Sequence, residues 1–371
     1  MPRLVALVMP AGTAFVDAVR RCWDRGDAVA PVDPRAPAPL LERQLDALAP
    51  ELVVDATGVE VARAGGVPTE EGDALVILSS GTSGAPKGAV LTRDAVESHA
   101  YAATTSVGVD PEATWLACLP LHHIGGFGVV ARALVTGARL VTHDGFDAAA
   151  VTAAAAAGAT HTSLVPTALG RIDPSVFRVI LLGGSAIPAD RPANTIATYG
   201  MTESCGGVVY DGFVLNGVGL EVGADGVISL SGPTMLRAYR DGRAALDEHG
   251  WFRTGDLGEM DAATGRLTVL GRADDLIITG GEKVWPDAVE RVLVDHVAGV
   301  ADVAVVGRDD PEWGQRVVAV VVPADRARPP SLDEVRTVVR EHLPAAAAPK
   351  AIELAEAIPR TNLGKVRRHL L

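Results

Sequence analysis

Ten residues, SSGTSGAPKG at 79–88, carry three glycines, four hydroxyls and one lysine. Glycine lets a backbone approach an anion closely, hydroxyls donate to its oxygens, and an ammonium adds a mobile point charge, so the loop suits phosphate. Its spacing is not the P-loop pattern GxxxxGK followed by Ser or Thr, because Gly88 follows Lys87. Further along, Glu203 sits beside Thr202 in YGMTESCGG, Asp256 in WFRTGDLG, and His122 and His123 before a Gly-Gly pair. A lone carboxylate beside a hydroxyl can ligate a hard cation, and an ionised carboxylate can accept from two vicinal hydroxyls. Only four of the basic residues are lysine, Lys87, Lys283, Lys350 and Lys365; the other 29 are arginine.

These residues need elements to hold them. ALVILSS (74–80) is a continuous apolar run, the pattern of a buried strand, and it leads directly into the glycine-rich loop. Thr92 then caps a helix expected to run to about Val107. Helices are also expected over 13–22, 38–49 and 147–157, and buried strands over 114–120, 138–143, 161–166 and 178–184. Strands alternating with helices argue for an α/β domain with parallel-rich sheets. Between 220 and 270 the texture changes to short strands and turns, a small β-rich subdomain. After Gly271 a compact α+β unit is expected, with helices over 286–295 and from Ser331, and strands over 300–307, 316–323 and 351–355. The run 345–348 reads as a loop.

Composition sets outer limits. With 33 basic residues against 46 acidic ones, a net charge of −13 and no basic stripe, the chain is a poor match for nucleic acid. Three scattered cysteines give neither a disulfide framework nor a zinc site, as expected of a reducing, cytoplasmic setting. The apolar run in MPRLVALVMPAG is short for a signal peptide, and 151–170 is too weakly apolar and too broken to span a bilayer.

Taken together in order, SSGTSGAPKG, LPLHHIGGF (119–127), LLGGSAIP (181–188), YGMTESCGG (199–207), WFRTGDLG (251–258), GRADDLIITGGEKVWPDAVE (271–290) and PRTNLGKVRR (359–368) resemble the adenylate-forming acyl/aryl-CoA synthetases, from about residue 74 to the C-terminus. The resemblance implies an N-terminal AMP-binding domain (1–271), a hinge (272–275) at Asp274 and a mobile C-terminal domain (276–371). It implies ATP, Mg²⁺ and coenzyme A as substrates and cofactor, and an acyl-adenylate made on the way to a thioester.

By that resemblance Thr82, Ser83, Gly84 and Lys87 hold the β- and γ-phosphates, Thr202 meets the α-phosphate and Glu203 ligates Mg²⁺. Tyr199 with Gly200, and the Gly183, Gly184, Ser185 turn, take the adenine; Asp256 takes the ribose, and Arg272 contacts the nucleotide. Lys365 matches the lysine that bridges acyl carboxylate and α-phosphate. Gly280, Gly281 and Lys283 shape the coenzyme A tunnel after the domain swings. His122, His123 and Gly125 line the acyl pocket, His123 beside the substrate carboxylate. A metal role for the two histidines is set aside because adjacent side chains on a strand face opposite ways. Cys205 is read as pocket lining and Lys350 as an ordinary surface lysine.

A short front end, GMTESCGGVVYDG, GPTMLRAYR and PLHHIGG resemble the compact actinobacterial o-succinylbenzoate:CoA ligases of menaquinone biosynthesis. Their substrate keeps a ring carboxylate that is not activated and needs a cationic or polar partner; Arg132, Arg171 and His161 are the candidates. The alternatives are another aryl or acyl acid loaded onto coenzyme A or a carrier protein, and a nucleotide-binding protein without catalysis. A homodimer is common among such relatives, and no membrane insertion is expected.

Overall fold

The computed structural model describes every residue except 81–85, 110–111, 186, 189, 362–363 and 365. The chain forms two compact units. The first comprises Met1–Glu221, Ser229–Arg253 and Thr264–Arg266; the second comprises Val222–Ile228, Thr254–Ala263 and Leu267–Leu371. The second unit therefore takes in segments that precede the expected boundary at 271.

Two seven-stranded sheets build the first unit. One runs Ala238–Tyr239, Pro86–Thr92, Asp73–Ser80, Ala28–Pro31, Leu4–Leu7, Leu52–Val54, Glu60–Ala62. Its centre is parallel, and it becomes antiparallel at both edges. The apolar run near the N-terminus is one of its interior strands, between Ala28–Pro31 and Leu52–Val54: Leu4, Val5, Ala6 and Leu7 are fully buried. Four apolar residues in a row make a short strand covered on both faces. Leu4, Ala6, Ala28, Ala30, Leu45, Leu48, Val76 and Val90 form one core cluster beneath it.

The other sheet runs Phe213–Val214, Gly206–Tyr210, Thr195–Met201, Val179–Leu182, His161–Leu164, Thr114–Ala117, Arg139–Thr142, parallel from Thr195–Met201 onward. Helices cover the sheets, as βαβ connections require. The helix after Thr92 spans Arg93–Ser106, and the Thr92 hydroxyl accepts from the Ala95 amide as expected of its cap. Ile124–Thr136 is also helical, although its two leading glycines conceal it in the sequence. It ends at Gly137, whose φ of 73° needs no Cβ.

Short strands Gly219–Val222, Val227–Ser231, Trp251–Met260 and Leu267–Arg272 form a four-stranded sheet, the β-rich texture read between 220 and 270. In the second unit a five-stranded sheet carries the helices Pro286–His296 and Leu332–His342. Val289, Leu293, Val303, Val305, Val317, Ala319, Val335 and Val339 fill the space between them. Ser331 and Glu334 form a reciprocal capping box at the second helix. Residues 345–347 make a single 3-10 turn rather than an irregular loop. No helix among the described residues is long and apolar enough to cross a membrane.

Candidate active site

In the first unit the strand Asp73–Ser80 pairs antiparallel with Pro86–Thr92, which sets Ser79 opposite Lys87 at the two ends of the phosphate loop. Thr82, Ser83 and Gly84 lie outside the described residues, as does Lys365. The strand Thr195–Met201 ends in a 3-10 turn, Thr202–Ser204, with the Ser204 hydroxyl bonded to the Met201 amide. That turn presents Glu203. One carboxylate oxygen, Oε1, accepts from the Tyr239 phenol at 3.0 Å and from the Ser79 hydroxyl at 3.3 Å. Lys87 Nζ stands 5.7 Å from the centre of the Tyr239 ring. The structure thus brings Lys87, Ser79 and Glu203 together, and adds Tyr239, which sequence reading had passed over inside LRAYR.

Steric requirements explain the glycines. A Cβ on Gly200 would lie 1.9 Å from the Gly206 carbonyl oxygen, and one on Gly183 would lie 2.5 Å from the Thr198 hydroxyl. Both keep the strand bearing Tyr199 against its neighbours, and Gly184 has a φ of 88° where the turn reverses. A β-bulge between Tyr199 and Gly200 re-aims the chain at this point. Ser185 is exposed next to it. Cys205 is buried at a φ of 61°, and burial pushes its thiol up to about 12, so it holds no thiolate to act as a nucleophile.

His122 and His123 do not lie on a strand. Residues 120–123 form a turn closed by the His123 amide on the Pro120 carbonyl, and the Ile124–Thr136 helix follows at once. The two rings therefore sit 4.4 Å apart instead of on opposite faces, which corrects the reason given above for discounting a metal. Among the described residues there is no group of three or more His, Cys, Asp or Glu side chains that could hold one. Burial drives His123 down to about 4 and lowers His122 as well, so both rings are neutral near pH 7. The close approach in this motif falls on Gly126, where a Cβ would lie 2.3 Å from the Pro120 carbonyl oxygen; at the expected Gly125 it meets only Leu119 at 3.7 Å.

Behind this helix start lies Arg132, 4% exposed. Its guanidinium donates to the Ser163 hydroxyl at 3.0 Å and stacks on the Trp115 ring at 4.6 Å. Among the described residues no carboxylate pairs with it, and its Nε has no partner. The other two candidates differ: Arg171 is exposed over the Phe146 ring, and His161 is bonded through Nδ1 to Thr160.

The second unit carries the remaining predicted residues. Asp256 and Arg272 face each other across a strand pair, Oδ1 to Nη1 3.7 Å, with the Asp256 side chain 13% exposed. The Asp256 amide donates to the Thr254 hydroxyl, which fixes the strand there. Asp274 lies in the 3-10 turn Ala273–Asp275 and is exposed. Gly280 and Gly281, both at positive φ, turn a hairpin from Ile277–Thr279 to Glu282–Val284, on which Lys283 is exposed. Trp313 packs on Gly280, and Lys350 Nζ lies 3.2 Å from the centre of the Trp313 ring, so Lys350 has a specific aromatic partner that its proline- and alanine-rich surroundings do not announce.

With this geometry in hand the comparisons are specific. A profile of the AMP-binding enzyme family matches residues 58–228, and one of the AMP-binding enzyme C-terminal domain matches 288–365. The chain belongs to the AMP-binding enzyme family. Within it, the chain is 38% identical to a "Probable 2-succinylbenzoate--CoA ligase" of Mycobacterium tuberculosis (strain CDC 1551 / Oshkosh), over 90% of this chain and 93% of that one. Two solved structures of o-succinylbenzoate CoA synthetase from Bacillus subtilis superpose on it. The complex with the acyl-adenylate intermediate OSB-AMP gives a TM-score of 0.87 at 25% identity, covering 99% of this chain and 87% of the other. The complex with ATP and magnesium ion gives 0.86 at 26% identity, covering 100% and 89%.

Proposed function

We propose that this chain is an AMP-forming acid:CoA ligase whose acid is o-succinylbenzoate. The carboxylate of the succinyl arm attacks the α-phosphorus of ATP, the bond to pyrophosphate breaks, and the thiol of coenzyme A then displaces AMP from the acyl-adenylate. Bringing anions together makes charge neutralisation and positioning the main task. Lys87 and the hydroxyls of Thr82 and Ser83 would take the outer phosphates, and Glu203 would hold Mg²⁺, which neutralises phosphate charge when bound. Asp256 would accept from the ribose hydroxyls. Neutral His123 would border the reacting carboxylate without adding charge. Lys365 would bridge carboxylate and α-phosphate in the first step, and rotation at Asp274 would exchange it for the Gly280–Lys283 hairpin in the second. We also propose a cytoplasmic homodimer, checked by sedimentation at working concentration.

One observation carries the choice of acid. Arg132 is a buried cation with a free Nε–H and no counter-charge among the described residues, an arrangement that costs stability unless something anionic completes it. A second carboxylate on the substrate, not the one being activated, supplies that charge. The test is pyrophosphate release from Mg-ATP with a panel of aryl and acyl acids. Turnover of o-succinylbenzoate well above that of mono-acids supports the reading, and turnover confined to a mono-acid overturns it.

A further inference from the structure

We infer that Tyr239 is a positioning residue of the adenylation site: its hydroxyl fixes Glu203 so that one carboxylate oxygen stays free for the metal. This rests on the reading of Glu203 as the Mg²⁺ ligand.

The two-residue strand Ala238–Tyr239 closes one edge of the first sheet and pairs antiparallel with the strand leaving the phosphate loop, Tyr239 opposite Ala89 and Ala238 opposite Val90. Lys87 is two residues from Ala89, hence on the same face as the diagonal neighbour of Tyr239. The segment is tied to Glu203 twice. The Leu236 amide donates to the Glu203 carbonyl at 2.8 Å, and the Tyr239 phenol donates to Oε1 at 3.0 Å. Both described donors to the side chain, Tyr239 and Ser79, converge on Oε1; among the described residues none is bonded to Oε2.

That asymmetry is what a metal ligand needs. A glutamate has three torsions to lose, and a hydrogen bond made before the metal arrives removes that cost from the binding step. The phenol is suited to the task because its O–H donates to one carboxylate oxygen while the rigid ring holds the hydroxyl in place. Its ring is flanked by two cations, Lys87 Nζ at 5.7 Å and the Arg243 guanidinium at 5.8 Å, so one side chain links the phosphate-loop lysine to the metal ligand.

The experiment uses the full chain, Mg²⁺ and ATP. Tyr239→Phe keeps the ring between its two cations and deletes only the hydroxyl. The Mg²⁺ concentration for half-maximal pyrophosphate release is expected to rise about 5- to 10-fold, the scale of one charge-assisted hydrogen bond. The KM for the acid and the rate at saturating Mg²⁺ should stay within about twofold. Calorimetry supplies a readout apart from turnover: ATP binding without metal is unchanged, and binding with Mg²⁺ weakens by a similar factor. Ser79→Ala, which removes the longer bond to the same oxygen, should shift the metal requirement less, and the double variant more than either. An unchanged requirement in Tyr239→Phe overturns the inference, as does an equal loss of ATP affinity with and without metal. Glu203→Gln separates the two levels of the argument. A metal shift in Glu203→Gln alone removes Tyr239 from its role and leaves Glu203 in place, whereas no shift in either variant overturns the Glu203 reading and this inference with it.

Discussion

Two arginines, one in each unit, are almost closed off from solvent, and their surroundings could hardly differ more. Arg368 in the second unit has a side chain 12% exposed and reaches Asp287 at 2.5 Å, Glu290 at 2.7 Å and Asp275 at 3.3 Å, with Nε donating to the Val305 carbonyl. Arg132 in the first unit has a serine hydroxyl, an indole face and an unpartnered Nε. A buried charge surrounded by its own chain's counter-charges is part of the scaffold. A buried charge without them is tolerated only where the molecule gains something else, and for Arg132 the gain we propose is recognition of the acid. Arg368 also stands three residues after Lys365 in sequence and binds Asp275 within the proposed hinge, so it braces the unit to which the lysine proposed for adenylation belongs.

Substituting each arginine by methionine, which preserves bulk, should split the two cases. For Arg132→Met the expected change is a fall in kcat/KM with o-succinylbenzoate of about 10³, roughly 4 kcal/mol, the scale of leaving a buried carboxylate unpaired. Stability should hold or rise, because the variant no longer buries an uncompensated cation. An analogue without the ring carboxylate, 4-oxo-4-phenylbutanoate, should be a poor substrate for the native enzyme and no worse for the variant. A similar penalty on both acids would make Arg132 a structural residue and erase the contrast. For Arg368→Met the order reverses. Three carboxylates lose their common cation, and the second unit should lose about 3 kcal/mol, read from hydrogen exchange of the amides in 303–306 and 317–321. Adenylation should suffer more than thiolysis of supplied acyl-adenylate, since Lys365 is proposed to serve the first step only. Retained protection together with equal rates would show that the cluster is dispensable.

Local turns and strand ends were easier to read in the sequence than packing. The ends of the phosphate loop, the Glu203 turn and the Asp256 strand occupy the elements their motifs imply, because glycine-dependent turns and capping hydroxyls leave local traces; Gly200 and Gly183 are required by contacts under 3 Å. What went unread depends on pairing across distance. Leu4–Leu7 showed only as an apolar run, since nothing local says that both of its faces are covered. The start of the Ile124–Thr136 helix was hidden by two glycines, one of them forced by the Pro120 carbonyl, and with it went the orientation of His122 and His123. Tyr239 meets Glu203 across 36 positions through a two-residue edge strand, too short to register as a period. Arg132 was one of three candidates until burial separated them. Its distinguishing property, the lack of a carboxylate partner among the described residues, is not written in sequence at all.

The smallest expected effect bears most directly on whether Arg132 is uncompensated. His99 is buried on the helix Arg93–Ser106 with Nε2 2.9 Å from the Gly207 carbonyl oxygen, so it is a neutral ring donating through Nε2. Burial drives it down to about 4, and the Arg132 charge adds to that depression. Its folded pKa lies below its unfolded value near 6.5, so the unfolded chain binds the extra proton between the two. Stability from this group is whole above about pH 6.5 and is lost as pH falls towards 4. Between pH 7 and pH 5 the entire His99 shift is worth roughly 2 kcal/mol, and the part contributed by Arg132 is smaller. Arg132→Met should therefore lose less stability than the native chain over that interval, and His99→Gln should lose less still. Chemical denaturation of all three at pH 7 and pH 5 decides the matter. Parallel losses in the native chain and Arg132→Met would mean that the guanidinium's field is already neutralised inside the protein, and the case for a substrate carboxylate as its missing partner would fall.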